Sequence, residues 1–484
     1  MNFSSLTFLL YFLPISLLIY IMLGFSIKLQ NLWLLLVSFA FYAWGEPKYF
    51  VLFLVSIVIN FVFGLVIDRY NINDADKKKA KAFLILGIMF NLLILGTFKY
   101  LDLIISQVNT LSHHNFGTVF NFVIPIGISF CTLRNISYLV DVYRNDGTVQ
   151  HNPINFGLYT AFFPQIFAGP IIKYKDVEEF LKNRNFKKSN LAEGTWRFSI
   201  GLIKKVLIAD HISIIVDNIY RLTQTGRGLY SVSSTMAWIG AISFILQVYY
   251  DFSGYSDMAI GLGKMFGFDI KENFNYPLVA KSFNDFWKRW YISLGEWFKD
   301  YVFIPLCGDK PKNADVIVKS IFTTWFLIGL WHGESFTFIA WALFNAILIV
   351  IEKVVNFEEW KISKFIKIIY VDVLCILLGV IYRSGSLATA REYFLNMFLA
   401  NKNPFISNTP IMIIKEYYMF FIPAFIFATP VASIIKDKVE KTDSVIAIIL
   451  YKVFSMILLM LGMVLVISTL TRGKVNPFIF ARLG

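Results

Sequence analysis

Apolar runs long enough to cross a bilayer recur along this chain, and they decide the solvent in which it folds. A spanning helix needs about 20 mostly apolar residues. Runs of that kind lie near 6–25, 31–44, 50–67, 82–99, 119–140, 154–171, 199–218, 233–250, 315–331, 335–351, 367–382, 413–430 and 446–470. Only 16% of the 484 residues are charged, against about 25% in a soluble domain. Backbone polar groups in lipid must be satisfied within their own segment, which favours helices. The expectation is an all-α polytopic membrane protein of about ten to thirteen helices, some short, re-entrant or interfacial. Residues 1–484 read as one transmembrane domain, with N-terminal helices over 1–120, a core over 121–351 and C-terminal helices over 352–484. The first apolar run reads as a span rather than a cleaved signal peptide. No basic stretch precedes it, and no small-x-small site follows.

The formal charge of +13 is spread over many loops. That distribution fits the positive-inside rule and argues against a nucleic-acid partner. Loop 68–81, DRYNINDADKKKAK, holds five lysines and arginines, whereas none lies between Leu101 and Leu133. Residues 68–81 are therefore expected in the cytoplasm, and 101–118, with His113 and His114, outside. The N-terminus then lies outside. The basic loops 172–188, 264–312, 352–367 and 436–441 are expected in the cytoplasm, where anionic lipid heads or a phosphorylated donor would meet them. Cys131, Cys307 and Cys375 have no metal or redox spacing. Cys131 and Cys375 read as packing residues. Cys307 flanks an interfacial stretch, where S-acylation is an open reading.

The stretch from Asp251 to Lys312 is too long for a plain connector. It opens DFSGYSDMAIGLGKMFGF, with Gly254, Gly261 and Gly263 but without phosphate-loop spacing or a preceding strand, so nucleotide hydrolysis is rejected. Small residues and hydroxyls there suit close backbone approach. Further on, Phe283, Phe286, Trp287, Trp290, Leu294 and Trp297 fall at helical spacing, with Lys288, Glu296 and Lys299 off that face. Two readings stay open for this amphipathic helix. One is an anchor in the membrane surface. The other is the wall of a cavity, where Lys288 and Arg289 would meet the phosphates of a donor.

Five histidines are present. His113, His114 and His151 fall in polar loops, and His211 follows Asp210 inside an expected helix. His332, in LWHGES, is different. It stands between two apolar runs, with Gly333 to permit a bend and Glu334 close by. An ionisable side chain at membrane depth is costly and marks function by default. A neutral imidazole is the natural base for taking a proton from a hydroxyl, although a cap or an interhelical hydrogen bond is the competing reading. No G-x-S-x-G, H-E-x-x-H or other metal spacing occurs. A lone base acting on two aligned substrates is the simplest chemistry left: transfer from a thioester to a hydroxyl.

The blocks PIGISFCTLRNISYLVDVYR (125–144), FFPQIFAGPIIKYKDVEEF (162–180), YYDFSGYSDMAIGLGKMFGF (249–268), ENFNYPLVAKSFNDFWKRWYISLGEWFKDYVFIPL (272–306), GLWHGESFTFIAWALFNA (329–346) and YRSGSLATAREYFLNMF (382–398) together resemble the membrane-bound O-acyltransferases. The resemblance is to the branch of alginate O-acetylases and related polysaccharide acetyltransferases. It implies helices around a central funnel open to the outside and joined to a cytoplasmic opening. It implies acetyl-CoA, or another acyl thioester, as donor substrate and no tightly bound cofactor or metal. His332 is then the catalytic base. Trp287, Lys288, Arg289, Trp290, Tyr291, Trp331 and Glu334 flank the donor and acceptor, and Asp251, Ser253 and Asp257 shape the cavity. The acceptor is an envelope polysaccharide or the serine of an extracytoplasmic SGNH-type acetyltransferase, and the location is the plasma membrane, in contact with lipid.

One departure stands out. The branch usually reads RWHISL where this chain reads RWYISL, with Tyr291. A phenol donates a hydrogen bond but is a poor base at pH 7. Cys307 also replaces a common glycine. A transport or export subunit, or a non-catalytic scaffold, therefore remains the alternative.

Overall fold

The computed structural model describes residues 2–112, 123–184, 186–224, 232–308, 313–473 and 476–479. His113 and His114 lie outside the described residues. Every regular element among the described residues is helical. A π-helical turn, Phe8–Phe12, leads into α1 (Leu13–Met22), followed by α2 (Ile27–Gly45), α3 (Phe50–Asn71) and the long α4 (Lys77–Ser112). Next come α5 (Ile128–Arg144), α6 (Pro153–Ala161), α7 (Tyr174–Lys182), α8 (Lys188–Ile203), α9 (Asp210–Gln224) and α10 (Ser234–Met265). The short α11 (Phe283–Arg289), α12 (Ile292–Phe298) and α13 (Ile304–Cys307) precede α14 (Ala314–His332) and α15 (Phe336–Val354). The chain ends with α16 (Lys364–Arg383), α17 (Leu387–Met397), α18 (Asn408–Phe427), α19 (Val431–Glu440) and α20 (Val445–Thr471).

Eight of these helices are long and apolar enough to cross a membrane: α2, α3, α4, α14, α15, α16, α18 and α20, two of which, α3 and α4, carry a short N-terminal extension. The protein is thus an all-α, multi-pass membrane protein. Several apolar runs expected as spans take other forms. The run 154–171 is the short α6 followed by a 3₁₀ turn and irregular chain, buried from Phe156 onward. Runs 199–218 and 233–250 belong to α8, α9 and α10, whose charges are met inside the protein rather than excluded from it.

The helix pair α8 and α10 forms the centre. The segment from Asp251 onward, expected to open a loop, instead continues α10 to Met265. At 32 residues α10 is about 48 Å long. Its glycines explain the continuation. A Cβ on Gly254 would stand 2.9 Å from the Gly201 carbonyl oxygen, and one on Gly261 2.6 Å from that of Gly194. Gly194 and Gly201 of α8 are crowded in turn by the carbonyls of Gly261 and Gly254, at 2.6 and 2.5 Å. The order of these contacts makes the helices antiparallel, their backbones meeting at two points two turns apart. Gly263 serves a neighbouring contact, since a Cβ there would lie 2.3 Å from Ile270. Small residues at such an interface permit the close van der Waals packing that drives helix association in lipid.

The expected single amphipathic helix over 283–297 is broken. Tyr291 adopts φ +48°, in the left-handed region, between α11 and α12. An extended strand of chain fills the break: Ile292 N donates to the Asn273 carbonyl at 2.9 Å, and Asn275 N to that of Arg289 at 2.9 Å. Asn273 Oδ1 also accepts from the Ser293 amide at 3.0 Å. The apolar stripe survives the bend. Phe283, Phe286, Leu294 and Trp297 are all buried in protein, so this face is a wall of the body and not a face laid on lipid. Cys307, like Cys131 and Cys375, is buried. Burial removes the exposure on which its S-acylation depended.

Candidate active site

α14 ends at His332 because the chain turns away at Gly333. Gly333 has φ 168°, extended backbone open to any residue, so space rather than torsion demands glycine: a Cβ would lie 2.5 Å from the Phe338 ring. Ser335 caps α15, its Oγ accepting from Thr337 N at 3.3 Å. The result is a broken helix pair with a half-buried histidine at the break.

Aromatic rings enclose that histidine. Ring centroids of Trp331, Trp341 and Tyr382 lie 5.1, 5.1 and 5.4 Å from the His332 ring, and that of Phe338 6.3 Å. Among the described residues one polar atom meets it, the Tyr382 hydroxyl, 3.2 Å from Nδ1. No partner for Nε2 occurs among the described residues. Trp341 links the cage to α11: its ring is 5.7 Å from that of Trp287, which also packs on Trp325 at 4.9 Å. Trp287 Nε1 donates to Asn345 Oδ1 at 3.1 Å, fixing α11 on α15.

A second support comes from far away in the chain. Lys99 and Tyr100 of α4 reach the open carbonyl end of α14, where Lys99 Nζ donates to the Trp331 carbonyl and Tyr100 Oη to that of Leu330. Tyr100 Oη also lies 3.3 Å from the Gly333 carbonyl. The last carbonyls of a helix lack intrahelical partners and carry partial negative charge, so a cation and a hydroxyl there satisfy and orient them. Lys99 is buried.

The expected site residues separate into groups. Trp331 and Trp287 share in the histidine's surroundings, directly and through Trp341. Glu334 is exposed just past the break. Lys288 is exposed on α11, while Arg289 is half-buried and ion-paired with Asp285 at 2.7 Å. Trp290 and Tyr291 pack toward α10: Trp290 lies 6.2 Å from Tyr249 and 5.2 Å from Phe274, Tyr291 5.9 Å from Phe252. The Tyr291 hydroxyl donates to the Gly169 carbonyl at 3.2 Å.

Asp251 and Asp257 are engaged elsewhere. Asp251 pairs with the buried Lys205 at 2.5 Å and accepts from Ile479 N at 2.7 Å. Lys205, in the π-helical turn Lys204–Ala209, also pairs with Asp210 at 2.8 Å. Asp257 is held by Arg197 at 2.6 Å and Lys204 at 2.7 Å. Ser253 is buried, and its Oγ has no hydrogen-bond partner among the described residues. Asp251 and Asp257 thus tie α10 to α8 and to the π-helical turn that follows it. His211 packs flat on Phe420 with centroids 4.0 Å apart, and His151 is exposed. Among the described residues no three His, Cys, Asp or Glu side chains cluster as metal ligands.

Sequence reading passed over Lys99, Tyr100, Trp341 and Tyr382. Lys99 carried a usable signal, a lysine at the edge of an apolar run, but the run was expected to end there, whereas α4 continues to Ser112. Tyr382 lay in a block quoted only for its resemblance.

A model of the membrane-bound O-acyltransferase family matches residues 145–358. The chain is 37% identical over 403 residues to the probable alginate O-acetylase AlgI of Pseudomonas aeruginosa, covering 82% of this chain and 75% of that protein. It is 34% identical over 381 residues to the peptidoglycan O-acetyltransferase of Helicobacter pylori, covering 72% and 70%. With the teichoic acid D-alanyltransferase of Bacillus subtilis it shares 29% identity over 259 residues, covering 50% and 61%. The chain belongs to the membrane-bound O-acyltransferase family. It is an acyltransferase, and the family match takes in the whole of α14, the break at His332 and α15.

Proposed function

We propose that this acyltransferase moves an acetyl group from cytoplasmic acetyl-CoA across the plasma membrane to a hydroxyl of an envelope polysaccharide, or of a partner acetyltransferase of the SGNH type, with His332 as general base. The observation that carries the reading is the histidine itself: an imidazole at a broken helix pair, ringed by aromatics, one nitrogen engaged by protein and the other without a protein partner among the described residues. The names of the alginate and peptidoglycan relatives support a glycan hydroxyl as the acceptor. The basic loops support donor entry from the cytoplasm, past α11, whose exposed Lys288 suits the phosphates of coenzyme A. Acetyl-CoA is then a substrate rather than a resident cofactor. Asp251 and Asp257 shape the cavity only at one remove, by fixing α10, against which Trp290 and Tyr291 pack.

The test is acetyl transfer in isolated membranes from acetyl-labelled acetyl-CoA, comparing the native chain with His332→Ala. Loss of a positioned general base is expected to slow transfer by about 10²–10⁴-fold. Equal transfer by both proteins would end the catalytic reading of His332. Uptake of labelled polymer without thioester consumption would favour a transport subunit.

A further inference from the structure

We infer that Tyr382 is a positioning residue that holds the His332 imidazole in the tautomer with its proton on Nδ1. The inference rests on the reading of His332 as the base. A hydrogen bond across the 3.2 Å between Tyr382 Oη and His332 Nδ1 can run in either direction. If tyrosine donates, the neutral ring carries its proton on Nε2. That N–H would then be fixed in the ring plane, with no acceptor for it among the described residues. If Nδ1–H donates, the proton left over belongs to the tyrosine. A hydroxyl proton rotates about its C–O bond and can turn to water or substrate. Tyr382 is half-buried rather than sealed, which leaves it that freedom. The first arrangement leaves a fixed donor without a protein acceptor, whereas the second leaves only a lone pair, open to the acceptor substrate.

The second direction is also the one that chemistry needs. The partner of one imidazole nitrogen sets what the other can do. With Nδ1 protonated, the Nε2 lone pair takes the proton of the acceptor O–H as its oxygen bonds to the acyl carbon. The C–S bond then breaks, and the imidazolium returns the proton from Nε2 to the departing thiolate. One proton is taken and one is given, and no other reactant is required.

Tyr382 is well placed for such a role. It sits in the last turn of α16, its ring 4.9 Å from Phe338 and 5.1 Å from Trp341. Those contacts survive in Tyr382→Phe, so that variant removes the hydroxyl and little else.

The test pairs a spectrum with kinetics. The full-length protein is labelled with ¹⁵N-histidine, and the His332 signals are assigned by their loss in His332→Gln. At a pH where the ring is neutral, the native spectrum should show a protonated Nδ1 and a bare Nε2. In Tyr382→Phe the population should shift toward Nε2–H, and kcat should fall about tenfold or more with KM for acetyl-CoA nearly unchanged. Nε2–H in the native protein would overturn the inference, as would an unaltered tautomer in Tyr382→Phe. The spectrum needs no acyl transfer. A failed transfer assay beside an Nδ1–H spectrum would therefore count against the proposed reaction and not against the role of Tyr382.

Discussion

The seam between α8 and α10 and the break between α14 and α15 both carry ionisable groups deep in the protein, and they treat them in opposite ways. At the seam every charge is answered. Lys205 meets two carboxylates, Asp257 meets two cations, and the Asp251 carboxylate also accepts a backbone amide from the chain's last described residue. At the break His332 is answered, among the described residues, on one nitrogen only. Removing a charge from water is expensive and is tolerated where partners are complete. The seam therefore reads as scaffold, and the unfinished hydrogen bonding at His332 as a place reserved for substrate.

The contrast can be broken at either end. The largest effect is expected from Lys205→Met, which leaves Asp251 and Asp210 buried without their shared cation. A loss of about 3–5 kcal/mol is expected from a pair broken in this way. It should appear as a fall in the melting temperature and yield of detergent-solubilised protein, with transfer per folded molecule preserved. Lys99→Met should do the reverse. The carbonyl end of α14 loses a charged donor, and transfer should slow by about tenfold, since a bond of this kind contributes roughly 1.5–3 kcal/mol. The melting temperature should move less than in Lys205→Met. If instead Lys99→Met melts first and transfers normally, Lys99 belongs with the scaffold. The smallest effect is expected from Tyr291→His. Residue 291 contacts Phe252, Phe274 and the Gly169 carbonyl, and histidine also tolerates positive φ. Transfer should stay within about threefold, the scale of one neutral hydrogen bond changing partner. A large gain would instead mean that this position takes part in the chemistry and that tyrosine has impaired it.

Much of this was legible in the residues. Hydropathy gave the all-α membrane class, the apolar stripe on residues 283–297 survived its unexpected bend, and the WHG stretch located the break. Two kinds of feature escaped. Hydropathy cannot tell a helix buried in protein from a loop when both carry charge, so α10 beyond Asp251 reads as loop: its acids are neutralised by Arg197 of α8 and by Lys204 and Lys205 of the π-helical turn that follows, partners found only in three dimensions. The left-handed turn at Tyr291 was likewise hidden, because its stabilising hydrogen-bond partners are Asn273 and Asn275. Contacts between distant helices are the other kind. Nothing near Lys99 in the chain announces that its ammonium will meet residue 331.

That last contact bears on how the protein is made. Lys99 is joined to a carbonyl 232 positions later in the chain, and Tyr382 follows the histidine it meets by 50. During synthesis the lysine is laid down in the first quarter of the chain and stays without this partner until α14 enters the bilayer. A polypeptide halted between α15 and α16 would have its histidine held at the helix end but not yet gripped at the ring, so transfer at full rate would wait until the chain has passed residue 382.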